Sequence, residues 1–257
     1  MDTEAQHTER DRSSGPADGP EEGSRSAHVR GRPPGPVSWG RTAFLGMVCT
    51  AALLLFSAFV LQPFLIPSGS MEPTLRIGDR VLVNKLAYRF GSEPRRGDVV
   101  VFDGTGSFVR EEDTGGDPVG ELLRGAAASL GLAEPAGTDF VKRVVGVGGD
   151  RVVCCDGRGR LEVNGTAVSE SYIHPGDRPS EVAFDIVVPG GTLWVMGDHR
   201  SRSRDSRDHL GEPGGGMVPV DRVIGRVDWL GWPLGRIGSL EGTAAFAGIR
   251  PTDPDHG

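Results

Sequence analysis

The sequence predicts a mainly β protein, built from antiparallel strands, behind a single membrane-spanning helix near the N-terminus. One uncharged apolar run of 20 residues, Thr42–Leu61, is long enough to cross a bilayer core at about 1.5 Å per residue. After residue 75 the apolar residues fall into short runs separated by turns, which is typical of strands. The 257 residues include 40 glycines and 19 prolines, a composition that favours turns over long helices.

Residues 1–41 are polar and contain almost no large apolar side chains, so we predict a disordered tail. Their second half, 24–41, carries four arginines and no acidic residue. Positive charge before a membrane segment keeps that side in the cytoplasm. We therefore expect a single-pass protein of the cell membrane with a cytoplasmic N-terminus and an extracytoplasmic remainder.

The apolar segment is predicted to be a retained anchor over residues 42–62. The alternative is a cleavable signal peptide, whose apolar region spans about 7–15 residues and ends at small residues. Here the run is longer and continues into Gln62–Pro67 without an Ala-x-Ala exit. The anchor is therefore the favoured interpretation.

Residues 63–241 are predicted to form one β-rich domain. Seven segments indicate strands: 80–85, 98–103, 141–146, 151–153, 161–163, 187–188 and 192–196. A glycine-rich, acidic stretch at 103–138, with a short helical piece near 119–132, is expected to be a surface insertion. Residues 242–257 are predicted to be a loose tail. Trp229 and Trp232 lie in a segment too broken to span a membrane, and either a membrane interface or core packing could hold them.

Charge and cysteine content narrow the function classes. The net charge of −7, without a basic helix or aromatic–basic patch, argues against nucleic-acid binding. Cys49, Cys154 and Cys155 set no disulfide framework, and nothing near them would activate a thiolate. A disulfide between the adjacent Cys154 and Cys155 stays open for a domain outside the cytosol.

Two segments could carry chemistry. Ser68 and Ser70 lie in a turn stiffened by Pro67 and Pro73, but a serine needs a base, and a plain loop is the alternative. In the apolar run 140–146, Lys142 and Arg143 would point to opposite faces of a strand, so one would face the less solvated side. A buried lysine loses its charge preference and its pKa falls from about 10.4, which makes a general base. A solvent-facing lysine on an edge strand is the alternative.

A third segment, Gly197–Arg207, is dense in hydroxyls and charges and fits a solvated loop, a phosphate site or a metal site. The metal interpretation is weak because His199 and His209 lack ligand spacing. A triad of Ser70, His199 and Asp198 is conceivable, but adjacent residues rarely aim at one another, so Asp198 would orient His199 poorly.

Four motifs in this order, after an anchor, resemble bacterial type I signal peptidase (leader peptidase): Pro67–Leu75, Arg96–Phe102, Lys142–Asp150 and Gly197–Arg207. The resemblance implies a barrel-like antiparallel catalytic domain and a Ser/Lys dyad. Ser70 matches the nucleophile and Lys142 the general base. The Ser68 hydroxyl, with the Ser70 backbone N–H, matches the oxyanion hole.

The resemblance also implies supporting roles. Ser203 matches a serine that orients the lysine, and Asp205 with Arg207 matches a structural ion pair. The residues that match pockets for small substrate side chains are Phe64, Ile66, Asp139 and Val141. Four positions depart from the family pattern: Gly148 replaces a usual proline, His199 a usual asparagine, and Ser201 and Arg202 an acidic–amide pair.

The function implied is a membrane-anchored serine endopeptidase that removes signal peptides after small residues, without cofactor or metal. Its partners would be signal-peptide-bearing preproteins and membrane lipid, and we expect a monomer near the secretion machinery. Two alternatives remain. One is a related dyad peptidase for pilus or sortase-linked precursors, and the other is a catalytically silent protein that binds signal segments.

Overall fold

The computed structural model describes residues 39–109, 137–212, 214–240 and 242–250. It contains one apolar helix followed by twelve strands, so the mainly β prediction is confirmed. The chain divides into two compact units, 1–43 and 44–257, and all strands belong to the second. Residues 1–38 of the predicted tail, most of the predicted insertion (110–136, including its helical piece) and residues 251–257 lie outside the described residues, while residues 39–41 of the predicted tail belong to the helix.

Helix α1 (Trp39–Phe59) is, within the described ranges, the one helix long and apolar enough to cross a membrane. Its 21 residues span about 32 Å at 1.5 Å per residue. The helix begins three residues before the predicted anchor and ends before residue 62. It ends early because β1 (Leu61–Leu65) follows after Val60 alone, and Pro63 within that strand cannot continue a helix.

The remaining strands form two antiparallel sheets. Their bounds are β2 (Arg80–Asn84), β3 (Val99–Asp103), β4 (Asp139–Val147), β5 (Arg151–Cys154), β6 (Leu161–Val163), β7 (Thr166–Ala167), β8 (Phe184–Val187), β9 (Thr192–Met196), β10 (Val218–Pro219), β11 (Val223–Trp232) and β12 (Gly238–Ser239). The large sheet has the order β1-β2-β11-β3-β4-β9-β10, with β12 on β11, and the small sheet has the order β7-β6-β5-β8. β1 is thus an edge strand of the large sheet.

All seven predicted strands are present, five of them with shifted ends, but five strands were missed: β1, the ten-residue β11 and the short β7, β10 and β12. β1 was missed because it begins at Leu61, the last residue of the apolar run. β11 carries register shifts where it pairs with β2 and β3, which interrupt the alternating pattern expected of a strand. Trp229 and Trp232, both on β11, are 49% and 50% exposed, so core packing is wrong for them.

The predicted loose tail is also wrong for its described part, 242–250. Phe246 and Ile249 are buried in the core cluster beneath the small sheet. Arg96 Nη1 donates to the Ile249 carbonyl at 3.2 Å, and Asn164 Nδ2 donates to the Arg250 carbonyl at 2.9 Å. Two apolar side chains and two accepting carbonyls are enough to hold a segment whose composition is otherwise polar.

A second core cluster fixes the serine turn. Met71 and Leu75 are fully buried beside Phe64 and Ile66, against the valines of β2 and β3. Burying a side chain such as Met or Leu is worth about 1.5–3 kcal/mol, so the residue directly after Ser70 anchors the turn. In the small sheet, Cys154 and Cys155 are joined by a disulfide.

Candidate active site

The serine turn is a single turn of 3-10 helix, Gly69–Met71, with Ser68 immediately before it. Ser70 is buried, while Ser68 is exposed. The two hydroxyl oxygens lie 3.3 Å apart. The Ser70 carbonyl accepts a hydrogen bond from the His199 backbone N–H at 3.0 Å, so the Gly197–Arg207 loop holds the turn from behind.

Lys142 reaches Ser70 from β4. Its Nζ lies 3.0 Å from Ser70 Oγ and 3.0 Å from the Val141 carbonyl oxygen. The side chain is buried, and among the described residues no carboxylate forms a salt bridge with it. Burial lowers the pKa of Lys142 to about 8, against the opposing effect of negative charge on Asp205, Asp198 and Asp208. A substantial neutral fraction near neutral pH makes this amine a competent base.

Arg143, the next residue, is buried as well, although the sequence required only one of the pair to be so. Its guanidinium forms a bidentate pair with Asp198, with Nε–Oδ1 at 2.8 Å and Nη2–Oδ2 at 2.6 Å. Nη1 donates to the Gly97 carbonyl at 2.8 Å. The carboxylate raises the pKa of Arg143 despite burial. The adjacent cations therefore differ in partner: Arg143 has a counter-ion, and Lys142 has a hydroxyl.

The sequence predicted an ion pair between Asp205 and Arg207, and both contacts of a bidentate pair measure 2.8 Å. Asp205 Oδ2 also accepts from the Gly197 backbone N–H at 2.9 Å. Hydrogen bonds from Arg207 and Gly197 hold the pKa of Asp205 below its usual value, against the effect of burial. Arg207 and Gly197 thus keep the Asp205 carboxylate ionised behind the lysine.

Gly197 is a site residue that the sequence analysis missed. A Cβ at this position would lie 2.5 Å from the Ser70 carbonyl oxygen and 2.2 Å from Ser203 Oγ. Both contacts are shorter than real Cβ contacts, so only glycine lets the loop approach the serine turn this closely. Its position directly after β9 was the available signal.

Ser203 is buried within this loop, but among the described residues no hydrogen bond joins its Oγ to Lys142. Its orienting role stays a prediction. Of the positions that depart from the family pattern, Ser201 donates to Asp177, Arg202 is exposed, and Gly148 packs against Gly190, whose Cα would lie 3.0 Å from an added Cβ.

The alternative triad is not formed. Asp198 is bonded to Arg143 and to the Thr74 hydroxyl rather than to His199. The His199 ring stacks on His174, and its Nδ1 lies 3.6 Å from Glu72 Oε2. Across the described ranges, no hydrogen bond links this ring to Ser70.

The four predicted pocket residues do lie together with the dyad. Phe64, Ile66, Asp139 and Val141 line, with Ser70 and Lys142, one cavity of about 160 Å³. Two free strand edges flank it. β1 is an edge strand, and the β4–β9 ladder begins only at Arg143, which leaves Val141 and Lys142 without a strand neighbour on that side among the described residues.

Comparison with known proteins agrees with this arrangement. The family described as signal peptidase, peptidase S26, matches residues 38–232. A probable signal peptidase I of Mycobacterium leprae (strain TN) is 37% identical over 226 residues, covering 77% of this chain and 78% of the relative. The signal peptidase I of Mycobacterium tuberculosis (strain ATCC 25618 / H37Rv) is 37% identical over 221 residues, covering 76% and 73%. That of Leptolyngbya laminosa is 36% identical over 182 residues, covering 71% and 74%. The chain therefore belongs to the signal peptidase family, peptidase S26, and is a serine peptidase.

Proposed function

We propose that this protein is a membrane-anchored endopeptidase that removes signal peptides from exported preproteins, with Ser70 as nucleophile and Lys142 as general base. One observation carries the proposal: a buried amine, without a salt-bridge partner in the described part of the chain, lies 3.0 Å from the Ser70 hydroxyl inside the cavity. Such an amine can be neutral at working pH and can accept the serine proton.

In the first half-reaction, neutral Lys142 takes the Ser70 proton as Oγ attacks the scissile carbonyl carbon. The electron pair of the carbonyl moves to its oxygen, which becomes an oxyanion. The Ser68 hydroxyl and the Ser70 backbone N–H would donate to that oxygen, and each such donor is worth about 3–4 kcal/mol in comparable sites. Ser68 suits this role because its exposed hydroxyl lies 3.3 Å from Ser70 Oγ.

Collapse of the tetrahedral intermediate breaks the C–N bond, and protonated Lys142 gives its proton to the leaving amine. The signal peptide is then held as an ester on Ser70. Water, deprotonated by Lys142, attacks the ester and returns Ser70 to its starting state. The same amine serves both steps, which requires a pKa close to the working pH.

The substrate would bind as an extended strand against the edge of β1 and against Val141 and Lys142 of β4, a form of β-augmentation. Successive side chains of a strand point to opposite faces, so residues −1 and −3 face the same wall. One cavity of about 160 Å³ would have to hold the side chains of both −1 and −3, which favours small ones. This supports specificity for small residues at −1 and −3, the Ala-x-Ala pattern.

The cellular arrangement is part of the proposal. α1 would span the membrane with the N-terminus in the cytoplasm, as the arginines of residues 24–41 favour. The strands would then lie on the outer face, where preproteins emerge. The protein would act as a monomer near the secretion machinery, in contact with preproteins and membrane lipid.

The test is cleavage of a preprotein with an Ala-x-Ala site by the full chain in detergent or lipid vesicles. We expect Ser70→Ala and Lys142→Ala each to abolish cleavage. Lys85→Ala is the matched control, because Lys85 is the other of the two lysines in the chain and its side chain donates a hydrogen bond to Gln62. Retained cleavage in either dyad variant would contradict the assignment.

A precursor panel separates the alternatives. Cleavage of pilus or sortase-linked precursors in place of Ala-x-Ala preproteins would favour the related processing peptidase. Binding of signal segments with no acyl-enzyme under any condition would favour the silent binding protein.

A further inference from the structure

Two histidines and a glutamate lie together beside the serine turn. One ligand atom from each of Glu72, His174 and His199 lies within 4.8 Å of the other two. We propose that these residues form a binding site for a divalent transition-metal ion of the Zn²⁺ class. Two imidazoles and one carboxylate are a donor set that Zn²⁺ takes in proteins, with a fourth position left for water.

The strongest sign of a ligand is the state of His199. The residue is 5% exposed, and its Nδ1 has no hydrogen-bond partner among the described residues. Glu72 Oε2 lies 3.6 Å from that nitrogen, too far for a hydrogen bond but on the side a bound ion would occupy. A buried ring nitrogen without a partner is costly, so a group that uses it is expected.

The backbone holds the three residues around one point. Glu72 N–H donates to the Gly69 carbonyl at 3.1 Å, and His199 N–H donates to the Ser70 carbonyl at 3.0 Å. His174 N–H donates to the Asp198 carbonyl at 2.8 Å. The Cα positions are therefore fixed, and only the side chains have to adjust when an ion binds.

Binding an ion requires the side chains to adjust. Ligand bonds of about 2.1 Å in a tetrahedral site separate the ligand atoms by about 3.4 Å, so the set must contract by up to about 1.4 Å. The two imidazoles stack with centroids 3.9 Å apart and 3° between planes, so one ring must turn for both to share an ion. His174 is half-buried and the Glu72 side chain is 30% exposed, so these two can move toward the buried His199.

The surrounding charge also favours a cation. Besides Glu72, the carboxylate of Asp177 lies near both rings. Both rings interact electrostatically with this carboxylate. Asp177 is fixed by Ser201, whose N–H and hydroxyl donate to it at 3.1 and 2.9 Å. Two carboxylates beside two imidazoles lower the energy of a bound divalent ion.

The test is direct metal binding by the full chain in detergent, prepared without a polyhistidine tag. Co²⁺ is titrated while the visible absorption of tetrahedral Co²⁺ is recorded, and Zn²⁺ is then added as competitor. We expect one equivalent of Co²⁺ to bind, Zn²⁺ to displace it, and calorimetry with Zn²⁺ alone to give a dissociation constant on the order of micromolar or tighter. His199→Asn, His174→Gln and Glu72→Gln should each weaken binding at least about 10-fold.

His209→Gln is the matched control, because His209 is also buried and lies 3.0 Å from a glutamate, Glu212, yet belongs to no such cluster among the residues that the structure describes. Its affinity for Zn²⁺ should equal that of the unchanged chain. Binding that stays unsaturated at about millimolar Zn²⁺, or that all three ligand changes leave intact, overturns the proposal. Thermal unfolding without metal checks each variant, and the half-buried His174→Gln serves if His199→Asn fails to fold. Ser70→Ala should keep full metal affinity, so this result is independent of peptidase activity.

Discussion

Asp205 raises the pKa of Lys142 without bonding to it. Both oxygens of its carboxylate are bound by Arg207, and one also accepts from the Gly197 N–H. The Asp205 carboxylate therefore acts on Lys142 through its charge alone. This charge raises the pKa of Lys142, and burial lowers it by more. The result is a pKa of about 8, low enough for a neutral fraction and high enough for a strong base.

The first prediction concerns pH. Because the neutral amine is the active form, kcat/KM should rise with pH through an apparent pKa of about 8. Asp208→Asn removes one of the three negative charges that raise this pKa, so the profile should move to lower pH. Asp205→Asn should move it further, since Asp205 is the largest of the three contributors. Profiles measured on a preprotein or peptide check this, and a shift to higher pH in either variant would contradict the electrostatic account.

The second prediction uses the two lysines. Lys142→Arg keeps a cation of similar length but cannot supply a neutral base, because arginine stays protonated. We expect cleavage to fall below detection, while Lys85→Arg retains activity. Acylation by a serine-reactive lactam, followed by mass spectrometry, should fail in the first variant and succeed in the second. Equal acylation in both would show that the amine is not the base.

The third prediction concerns stability. The pKa of Lys142 is about 8 in the folded chain against 10.5 for an ordinary lysine, a difference worth about 3 kcal/mol. Between these values the unfolded chain binds more protons, so the free energy of unfolding should rise as pH increases from about 8 to 10.5. Below pH 8 the full cost of the buried charge applies.

Lys142→Met removes that cost, so at pH 7 it should increase the free energy of unfolding by up to about 3 kcal/mol while abolishing cleavage. Denaturant unfolding of the detergent-solubilised chain at pH 7 and pH 10 measures the free energy of unfolding, and a preprotein assay measures the loss of cleavage. The gain should shrink at pH 10, and a variant less stable than the parent at pH 7 would refute the burial argument.

The fourth prediction tests the close approach at Gly197. Gly197→Ala puts a methyl group 2.5 Å from the Ser70 carbonyl oxygen, so the serine turn or the loop must move. We expect a loss of about 1–3 kcal/mol in stability and a fall in kcat larger than the change in KM. Gly157→Ala is the control, because nothing lies within 4 Å of a Cβ there. Wild-type kcat in Gly197→Ala would mean that this contact does not position Ser70.

Sequence patterns were sufficient wherever a local rule applies. The uncharged run predicted α1, and short apolar runs predicted β2, β3, β4 and β9, because a short apolar run bounded by turns is visible along the chain. The ordered motifs predicted that Ser70 and Lys142 form the dyad, and Lys142 Nζ lies 3.0 Å from Ser70 Oγ.

Patterns failed where distant residues meet. Nothing in the spacing of Arg143 and Asp198, 55 residues apart, indicates that they form an ion pair. Yet this pair shows that Arg143 has a structural role, unlike the neighbouring Lys142, which lies beside Ser70. His174 is brought beside His199 by the hydrogen bond from its backbone N–H to the Asp198 carbonyl, a contact that the spacing of the histidines in the sequence does not indicate. Long-range partners of this kind depend on sheet order, which a single sequence does not encode locally.

The single residue between α1 and β1 leaves the enzyme without a flexible tether. β1 pairs with β2 along its whole length, from Leu61 to Leu65, and Ser70 follows five residues later. The distance between α1 and Ser70 is therefore set by hydrogen-bonded backbone, about 17 Å of which lies within β1. It is not set by a flexible linker. In the proposed membrane arrangement, α1 and β1 together would fix the distance of Ser70 from the bilayer, and with it the depth at which a substrate bond is cut.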